Sequence, residues 1–373
     1  MTHSPLWVFA FLPALAVALV GCGGGESAVS SRDTSGSTRT FAMGLSSLPS
    51  DLTEESYADA FELAASVGEV ILIRRSPPWD ELLTAGPFPS DETAEATQRE
   101  TRLADDYGLD VLVAIDATGV SEETGQLAGL PEEQRGAGFA DEAVRKGFIS
   151  YAQYIAVNWH PRYLALGVDV NRYYRQNPED FEHFVSVYQE AYEAIKAQAP
   201  ETLVFPTFQL EEMQGRLPLD GPHDPQWALI DRFAARMDLL AVSSYPGLVF
   251  ADPSRLPDDY YAQLSKYTDR PIVIAETGYP SQLEGAARSQ GNEERQSAFL
   301  RRVLSDAEEL DMPLVVWFVG QDPTFTGGPA FDLVRHIGLL RQDGTEKPAW
   351  SVWSQTARRP LAEAAGQAGA RGW

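Results

Sequence analysis

The residue best placed to do chemistry is Glu276, which follows four apolar residues and precedes a loop containing Tyr279 and Pro280. Asp116 has a similar position, at the end of the apolar run 111–115. Carboxyl groups at strand ends can face one cleft, where a protonated acid and a charged one can act as a general acid and as a base or nucleophile. The alternative for Glu276 is a helix cap or a loop residue in contact with water.

Two arginines, Arg74 and Arg75, end the apolar run 70–73. We expect Arg74 to point inward, toward Glu276, where a guanidinium would lower the pKa of the carboxyl group and keep it ionised. The alternative is that both arginines lie at the rim and pair with the abundant acidic residues.

Aromatic residues cluster near the same strand ends. Their flat faces can stack on pyranose rings while neighbouring polar side chains bind the hydroxyl groups, and sugar sites need both. We favour Tyr245 and Trp317 for this role, and for each aromatic residue the alternative is an anchor in the core or in a loop. The candidates are Trp79, Tyr173, Tyr174, Tyr245, Tyr279 and Trp317.

The elements that position these residues alternate along the chain. Continuous apolar strands that alternate with amphipathic helices predict an α/β fold with a parallel sheet covered by helices. The predicted strands are 41–45, 70–73, 111–115, 163–166, 203–205, 239–242, 272–275 and 314–318. The predicted helices are 54–67, 92–107, 141–157, 178–198, 225–237, 258–266, 292–309 and 348–354.

Eight such units predict a single (β/α)₈ TIM barrel over residues 41–356. The connections that follow strands are long and rich in Pro, Gly, Asp and aromatic residues, whereas those that follow helices are short. TIM-barrel enzymes carry their sites on the strand-to-helix loops. The alternative, a doubly wound open sheet, would be marked by a GxGxxG turn, and no predicted strand is followed by one. Residues 357–373 are predicted to form a disordered tail.

The amino-acid composition limits the classes of molecule that the protein is expected to bind. The chain has 373 residues and 29 Lys and Arg against 54 Asp and Glu, a formal net charge of −25. Such a charge repels phosphate backbones, so we expect no nucleic acid partner, whereas a neutral carbohydrate is compatible with it. The five histidines are isolated. No zinc-binding spacing or phosphate-binding loop accompanies them, so we expect neither a metal nor a cofactor.

The N-terminus predicts export. Residues 6–20 are almost wholly apolar, and no charged side chain of Asp, Glu, Lys or Arg precedes Glu26. That run is too short for a membrane-spanning helix and fits a signal peptide over residues 1–21. The sequence Leu-Val-Gly-Cys that ends at Cys22 resembles the bacterial lipobox, which implies lipidation of Cys22 and a flexible tether over 22–40. We therefore expect a protein held in the outer membrane through its N-terminal lipid only. The alternative is an ordinary secretory signal beside an incidental cysteine.

Three segments resemble the clan of retaining glycoside hydrolases on (β/α)₈ barrels, nearest to the endo-β-1,4-galactanase branch. They are PIVIAETGYP at 271–280, SSYP at 243–246 and VVWF at 315–318. The resemblance implies that Glu276 is the nucleophile, that Tyr245 contacts it and that Trp317 stacks on a sugar ring.

The fourth strand departs from the clan, whose Asn-Glu pair is replaced by Val168 and Asp169. The resemblance implies that Asp169 is the acid/base, with a side chain one methylene shorter. Asn171 lies two residues further on, and therefore on the same face as Asp169 in an extended strand, so we expect it to bind the hydroxyl that the missing Asn would hold. If Asp169 is misplaced, Asp116 is the first candidate for the catalytic acid in its place, and Glu211 comes next. Three alternatives stay open: a retaining enzyme, an inverting enzyme, and a barrel that binds a glycan without cutting it. A purely structural envelope protein would lack an aromatic-lined cleft.

Overall fold

The structure is a computed structural model that describes residues 37–84, 86, 88–120, 126–217, 221, 223–282, 292–325, 331 and 335–362. The predicted signal peptide and Cys22 lie outside the described residues. Nine parallel strands form one sheet. They are β1 (Ala42–Ser46), β2 (Val70–Arg75), β3 (Asp110–Ile115), β4 (Tyr163–Leu166), β5 (Leu203–Phe205), β6 (Thr207–Gln209), β7 (Leu240–Ser244), β8 (Ile272–Thr277) and β9 (Leu314–Trp317).

The strand order is β5-β4-β3-β2-β1-β9-β8-β7-β6, so the two ends of the sheet are β5 and β6. These two short strands follow each other along the chain, separated by Pro206. Proline has no N–H group to donate to a ladder, which explains the interruption of one strand into two. Together β5 and β6 form the fifth barrel strand, and β7, β8 and β9 are the sixth, seventh and eighth. The predicted single (β/α)₈ barrel is confirmed.

The helices cover the outside of the barrel. Several begin at a side-chain cap: Thr53 accepts a hydrogen bond from the N–H of Ser56, and Asp141 accepts from the N–H of Val144. No helix in the described part of the chain is long and apolar enough to cross a membrane. The helices are α1 (Glu54–Val67), α2 (Trp79–Thr84), α3 (Asp91–Asp106), α4 (Glu142–Trp159), α5 (Val170–Gln176), α6 (Pro178–Gln198), α7 (Leu210–Met213), α8 (Asn292–Glu309) and α9 (Pro348–Arg358).

Two predicted helices are absent as α-helices. The segment predicted as helix 225–237 forms two 3₁₀ helices, Trp227–Arg232 and Ala234–Arg236, and the segment 258–266 forms one at Ala262–Lys266. A 3₁₀ helix has three residues per turn, so an apolar residue at every third or fourth position fits it as well as an α-helix. The hydrophobic pattern alone therefore could not separate the two.

Both predicted ends of the barrel were wrong by a few residues. Arg39, predicted to lie in the flexible tether, is fully buried and pairs with Glu69. At the other end α9 continues to Arg358, and Leu361 pairs with Arg39 in an isolated β-bridge. The buried guanidinium also donates to the carbonyl of Arg359 at 3.1 Å. One buried arginine thus ties the two ends of the described chain to the base of the barrel.

Aromatic packing fixes the side of the barrel that carries the fourth and fifth strands. Phe184 of α6 is fully buried and has ring centres 5.1 Å from Phe139 and 6.3 Å from Phe233. Tyr188 meets Phe233 edge-on at 4.9 Å. Buried aromatic pairs of this geometry contribute about 0.5–1.5 kcal/mol each beyond the area that they bury. This cluster gives the end of β4 a rigid support.

Candidate active site

An irregularity in β8 directs Glu276 into the barrel mouth. Along the β7–β8 ladder Ile274 lies opposite Val242, but Glu276 lies opposite Ser243, so β8 contains one extra residue at this point. The β8–β9 ladder shifts at the same place, between Ile274 and Thr277. Bulges of this kind re-aim a side chain beside a site. Glu276 remains 8% exposed, among polar groups.

Two polar groups meet the carboxyl group of Glu276. The Tyr245 hydroxyl donates a hydrogen bond to Oε1, and Arg74 Nη1 lies 3.9 Å from Oε2. Burial raises the pKa of Glu276 to about 7; Arg74 opposes the rise, and the charge of Asp169 adds to it. Near neutral pH the group therefore exists both as an acid and as a carboxylate, a property typical of catalytic carboxyl groups.

Arg74 and Arg75 point to opposite sides of β2, because side chains alternate along a strand. Arg74 Nη2 lies 2.8 Å from Asp116 Oδ2 inside the mouth. Arg75 points outward, pairs with Glu100 and lies over the ring of Trp159, 5.4 Å from the ring centre. Arg74 thus links Asp116 to Glu276, although its shorter contact is to Asp116.

A tight turn at the end of β4 places Asp169. Gly167 has a φ of 109°, and Asp169 has a φ of 51°, in the left-handed region that residues with a side chain rarely adopt. A Cβ atom added to Gly167 would lie 2.7 Å from Phe184 Cζ. The turn brings the backbone N–H of Asp169 within 2.9 Å of Thr207 Oγ1. Because such a conformation is costly, its presence here favours a functional role for the turn.

Asp169 and Glu276 lie near the same arginine. Ser243 Oγ donates to Asp169 Oδ1 at 2.6 Å, and the backbone of Ser243 is in register with Glu276 in the β7–β8 ladder. Burial raises the pKa of Asp169, whereas Arg74 and the hydrogen bond from Ser243 oppose the rise. The two acids come from the ends of the fourth and seventh barrel strands, and the charge of Arg74 acts on both.

Trp317 does not lie in the mouth, and its predicted stacking on a sugar is wrong for this structure. Its side chain is fully buried, donates from Nε1 to the carbonyl of Ile337 at 2.7 Å and packs 6.5 Å from Trp353 of α9. The next residue, Phe318, points the other way and meets the Tyr245 ring edge-on at 6.3 Å. Strand alternation explains the one-residue error.

Asn171 is also a structural residue rather than a sugar ligand. It is fully buried in α5, where its side chain accepts from the N–H of Gln209 at 2.8 Å and donates to the carbonyl of Gln209 at 3.1 Å. Its expected place on the same face as Asp169 assumed an extended strand. Because β4 ends at Leu166, the alternation of a strand does not apply to these residues.

Trp79 and Tyr279 are anchors, which was the alternative considered for each. Trp79 begins α2 and is buried in the main core. The Tyr279 hydroxyl donates to the carbonyl of Phe250 at 2.8 Å, and its ring stacks on Phe299 at 5.3 Å. Neither side chain is available to a ligand in this conformation, so their predicted contact with substrate is corrected.

The structure adds residues that were not among the predicted site residues. Ser243 was quoted only as part of the segment 243–246, although a polar run directly after an apolar strand is a signal for it. Glu211, considered as a substitute acid, is fully buried behind Tyr245, to whose backbone it is bonded, and cannot reach a substrate there. Within the described ranges no group of three His, Cys, Asp or Glu side chains could hold a metal ion.

Several solved structures with the same fold are glycoside hydrolases. One is the exo-β-1,4-mannosidase Op5Man5 from Opitutaceae bacterium strain TAV5, with a TM-score of 0.64 and 17% identity. The match covers 87% of this chain and 60% of the mannosidase. GH5_18 from Streptomyces cattleya, in complex with GlcNAc, has a TM-score of 0.65 and 18% identity over 88% of this chain and 83% of its own. Xylanase 10B from Thermotoga maritima has a TM-score of 0.59 and 10% identity over 85% of this chain and 95% of its own. At these identities the likeness shows the fold. No protein-family model and no curated protein matches the sequence.

Proposed function

We propose that the chain is a glycoside hydrolase that cleaves O-glycosidic bonds in a neutral oligo- or polysaccharide, with Glu276 as nucleophile and Asp169 as acid/base. The observation that carries this proposal is the pair of carboxyl groups at the ends of the fourth and seventh barrel strands. Asp169 accepts a hydrogen bond from Ser243, Glu276 accepts one from Tyr245, and the charge of Arg74 acts on both acids. The glycoside hydrolase neighbours support it, because they share the barrel.

The proposed reaction has two steps. Protonated Asp169 gives its proton to the glycosidic oxygen while the Glu276 carboxylate attacks the anomeric carbon, so that a glycosyl ester replaces the broken bond. The ionised Asp169 then takes a proton from water, the water oxygen displaces Glu276, and both carboxyl groups return to their starting states. Tyr245 and Arg74 stabilise the charge on Glu276 before the attack and after its release.

The substrate class follows from charge and from the neighbours. A net charge of −25 disfavours polyanionic glycans and leaves neutral ones. One neighbour, from Streptomyces cattleya, was solved with Manβ1-4GlcNAc and GlcNAc, and another is a β-1,4-mannosidase. We therefore propose β-1,4-linked neutral chains, with galactan, mannan, xylan and Manβ1-4GlcNAc as the substrates to be tested.

The test measures the reducing ends released from that panel by the wild type, Glu276→Gln and Asp169→Asn. We expect Glu276→Gln to fall to background and Asp169→Asn to lose about 10²–10⁴-fold. Glu201→Gln is the matched control, because Glu201 is exposed and precedes β5 at the other end of the barrel. Equal activity of the wild type and Glu276→Gln would remove the catalytic assignment. A 2-deoxy-2-fluoro glycoside that labels Asp169 instead would reverse the two roles.

A second candidate is a barrel that binds a glycan without cutting it, favoured by the shorter Asp169 side chain where the related hydrolases carry Glu. Calorimetry that detects binding by the wild type, together with no product from any glycan of the panel, would support this candidate. Asp169→Glu separates it from a weak enzyme, because the longer side chain should raise turnover only if the remaining machinery is intact.

We also propose that the chain is exported and anchored in the outer membrane through lipid on Cys22. The support is the lipobox-like sequence at 19–22 and the Gly- and Ser-rich segment that follows it. Labelling of cells with a fatty acid probe should mark the wild type but not Cys22→Ala, and membrane fractionation should find the wild type in the outer membrane. A labelled Cys22→Ala variant would contradict the assignment.

A further inference from the structure

Glu211 is a fully buried carboxyl group that the proposed reaction does not use. It lies in α7, and its two oxygens accept hydrogen bonds from four groups. Oε1 accepts from the hydroxyls of Ser244, at 2.8 Å, and Tyr260. Oε2 accepts from the backbone N–H of Tyr245, at 3.0 Å, and from the side-chain amide of Gln209. Four converging donors match the acceptor capacity of an ionised carboxylate.

A carboxylate satisfies all four donors at once. A glutamine at the same place keeps the bond from the Tyr245 N–H only if the hydroxyls of Ser244 and Tyr260 rotate and accept from its NH₂ group, which changes the contacts around the Ser244–Tyr245 peptide unit. Burial raises the pKa of Glu211, whereas hydrogen bonds from Tyr260, Tyr245 and Ser244 oppose the rise. An apolar residue here would leave the four donors, including the Tyr245 N–H, without an acceptor.

The group that Glu211 holds is the peptide unit joining Ser244 to Tyr245. Its N–H donates to Glu211, and its carbonyl accepts from Thr277 Oγ1 at 2.7 Å. Thr277 is the residue directly after Glu276 on β8. The peptide plane is therefore fixed from both sides, by α7 on one side and by the strand that carries Glu276 on the other.

That peptide unit sets the position of the Tyr245 side chain. Tyr245 follows the last residue of β7 and has φ −127° and ψ 66°, outside the strand conformation. Its hydroxyl donates to Glu276 Oε1. Tyr261 supports the same region, because its hydroxyl lies 3.1 Å from Ser244 Oγ. The chain of contacts runs from Glu211 through one peptide group to the phenol and then to Glu276.

We propose that Glu211 is a positioning residue that holds the Tyr245 hydroxyl against Glu276 by fixing the Ser244–Tyr245 peptide unit. The effect of this positioning on catalysis rests on the proposed function, in which Glu276 is the nucleophile. Glu211 does not touch the substrate, since its side chain is fully buried and Tyr245 stands between it and the mouth.

The test compares Glu211→Gln with Glu212→Gln. Glu212 is the matched control, since it is the next residue of the same helix, is equally buried and pairs with Arg175 at 2.7 Å rather than with Tyr245. The first readout is the carbon-13 titration of the Glu276 carboxyl group, assigned by its loss in Glu276→Gln. The second is the acid limb of kcat/KM on the best substrate.

A loosened Tyr245 stabilises the Glu276 carboxylate less, so the titration midpoint of Glu276 should rise by about half a unit to one unit in Glu211→Gln. The acid limb should move by the same amount, and kcat should fall about tenfold with KM nearly unchanged. Adding Glu211→Gln to Tyr245→Phe should cause no further shift, because the hydrogen bond that Glu211 supports is then already absent.

An unchanged Glu276 midpoint in folded Glu211→Gln, or an equal shift in Glu212→Gln, overturns the proposal. If Glu211→Gln does not fold, Thr277→Val decides, because it frees the same peptide group from the other side and should raise the same midpoint. The experiment distinguishes failure of the positioning role of Glu211 from failure of the hydrolase function. A shifted midpoint without any cleavage by the wild type retains the positioning role and removes the hydrolase function, whereas cleavage with an unshifted midpoint does the reverse.

Discussion

The two ends of the barrel arrange their charged side chains differently. At the base, where the strands begin, each of three acidic residues has its own cation within ion-pair distance. At the mouth, three carboxyl groups lie around Arg74. The base pairs are Glu69 with Arg39, Asp110 with Arg162, and Asp238 with Lys196. The mouth acids are Asp116, Asp169 and Glu276.

The difference separates a stabilising role from a chemical one. An acid with its own cation ties two elements of the barrel together. At the mouth, burial and the neighbouring acids raise the pKa of Glu276 and of Asp169, which share one guanidinium. The mouth therefore holds two carboxyl groups with raised pKa values.

The largest effect should come from breaking a base pair. Arg39→Met removes the cation that pairs with Glu69 and the donors to the carbonyls of Phe41 and Arg359. Removal of one partner of a buried pair costs about 3–5 kcal/mol of unfolding free energy. Urea unfolding measures the loss, and kcat per folded molecule should stay as in the wild type. A loss of activity without a loss of stability would contradict the division between base and mouth.

Arg74→Met should act in the opposite way. The pKa of Glu276 rises further without its cation, so less of the nucleophile is ionised at pH 7, and kcat/KM should fall about 10²–10³-fold. The acid limb of the pH profile should move to higher pH. Arg75→Met is the control, because Arg75 pairs with Glu100 on the outside of the same strand.

The pH dependence of stability should also differ between the two ends. The pKa of Glu276 lies near 7 in the folded state and at 4.5 ordinarily. Between these values the folded protein holds a proton that the unfolded chain has released, so unfolding free energy falls as pH rises through this window. Glu276→Gln should therefore be more stable than the wild type at pH 8 by about 2–3 kcal/mol and equal to it near pH 4.5. Glu69→Gln should be less stable at both pH values.

The smallest effects are expected from removing one hydroxyl group at each end of the barrel, that of Ser243 at the mouth and that of Thr202 near the base. Ser243→Ala removes the donor that lowers the pKa of Asp169, so the basic limb should move up by a few tenths of a unit and kcat should fall about threefold. Thr202→Val removes a buried hydrogen bond of 2.9 Å to the carbonyl of Pro161 near the base. It should cost about 1 kcal/mol of stability and leave the pH profile unchanged. A shifted pH profile of activity in Thr202→Val would contradict the difference between the base and the mouth of the barrel.

Much of the barrel could be predicted from the sequence, because its signals are local. The apolar runs fixed the strands to within two residues at most ends, and α1, α6 and α8 have the predicted bounds. Glu276 and Arg74 could be placed at strand ends in the same way. The interruption at Pro206 and the extra residue of β8 were not predicted, since a ladder depends on the partner strand and not on the strand itself.

The errors at the site have causes that a local pattern does not show. Whether Trp317 or Phe318 points inward depends on the phase of the alternation in β9. Asn171 was assigned by strand alternation, although the predicted strand, like β4, ends at Leu166. Glu211 lies more than thirty residues from Ser244, Tyr245 and Tyr260, so its role depends on contacts that no local pattern encodes.

The interruption at Pro206 has a consequence for stereochemistry. Asp169 follows β4, on one side of the interrupted fifth strand, and Ser243 belongs to β7, on the other side. Whether a glycosidase preserves or reverses the anomeric configuration depends on a few ångströms between its two acids. Pro206 interrupts the barrel wall between them. A change in this interrupted strand would therefore alter the distance between the two acids while the other strands keep their neighbours.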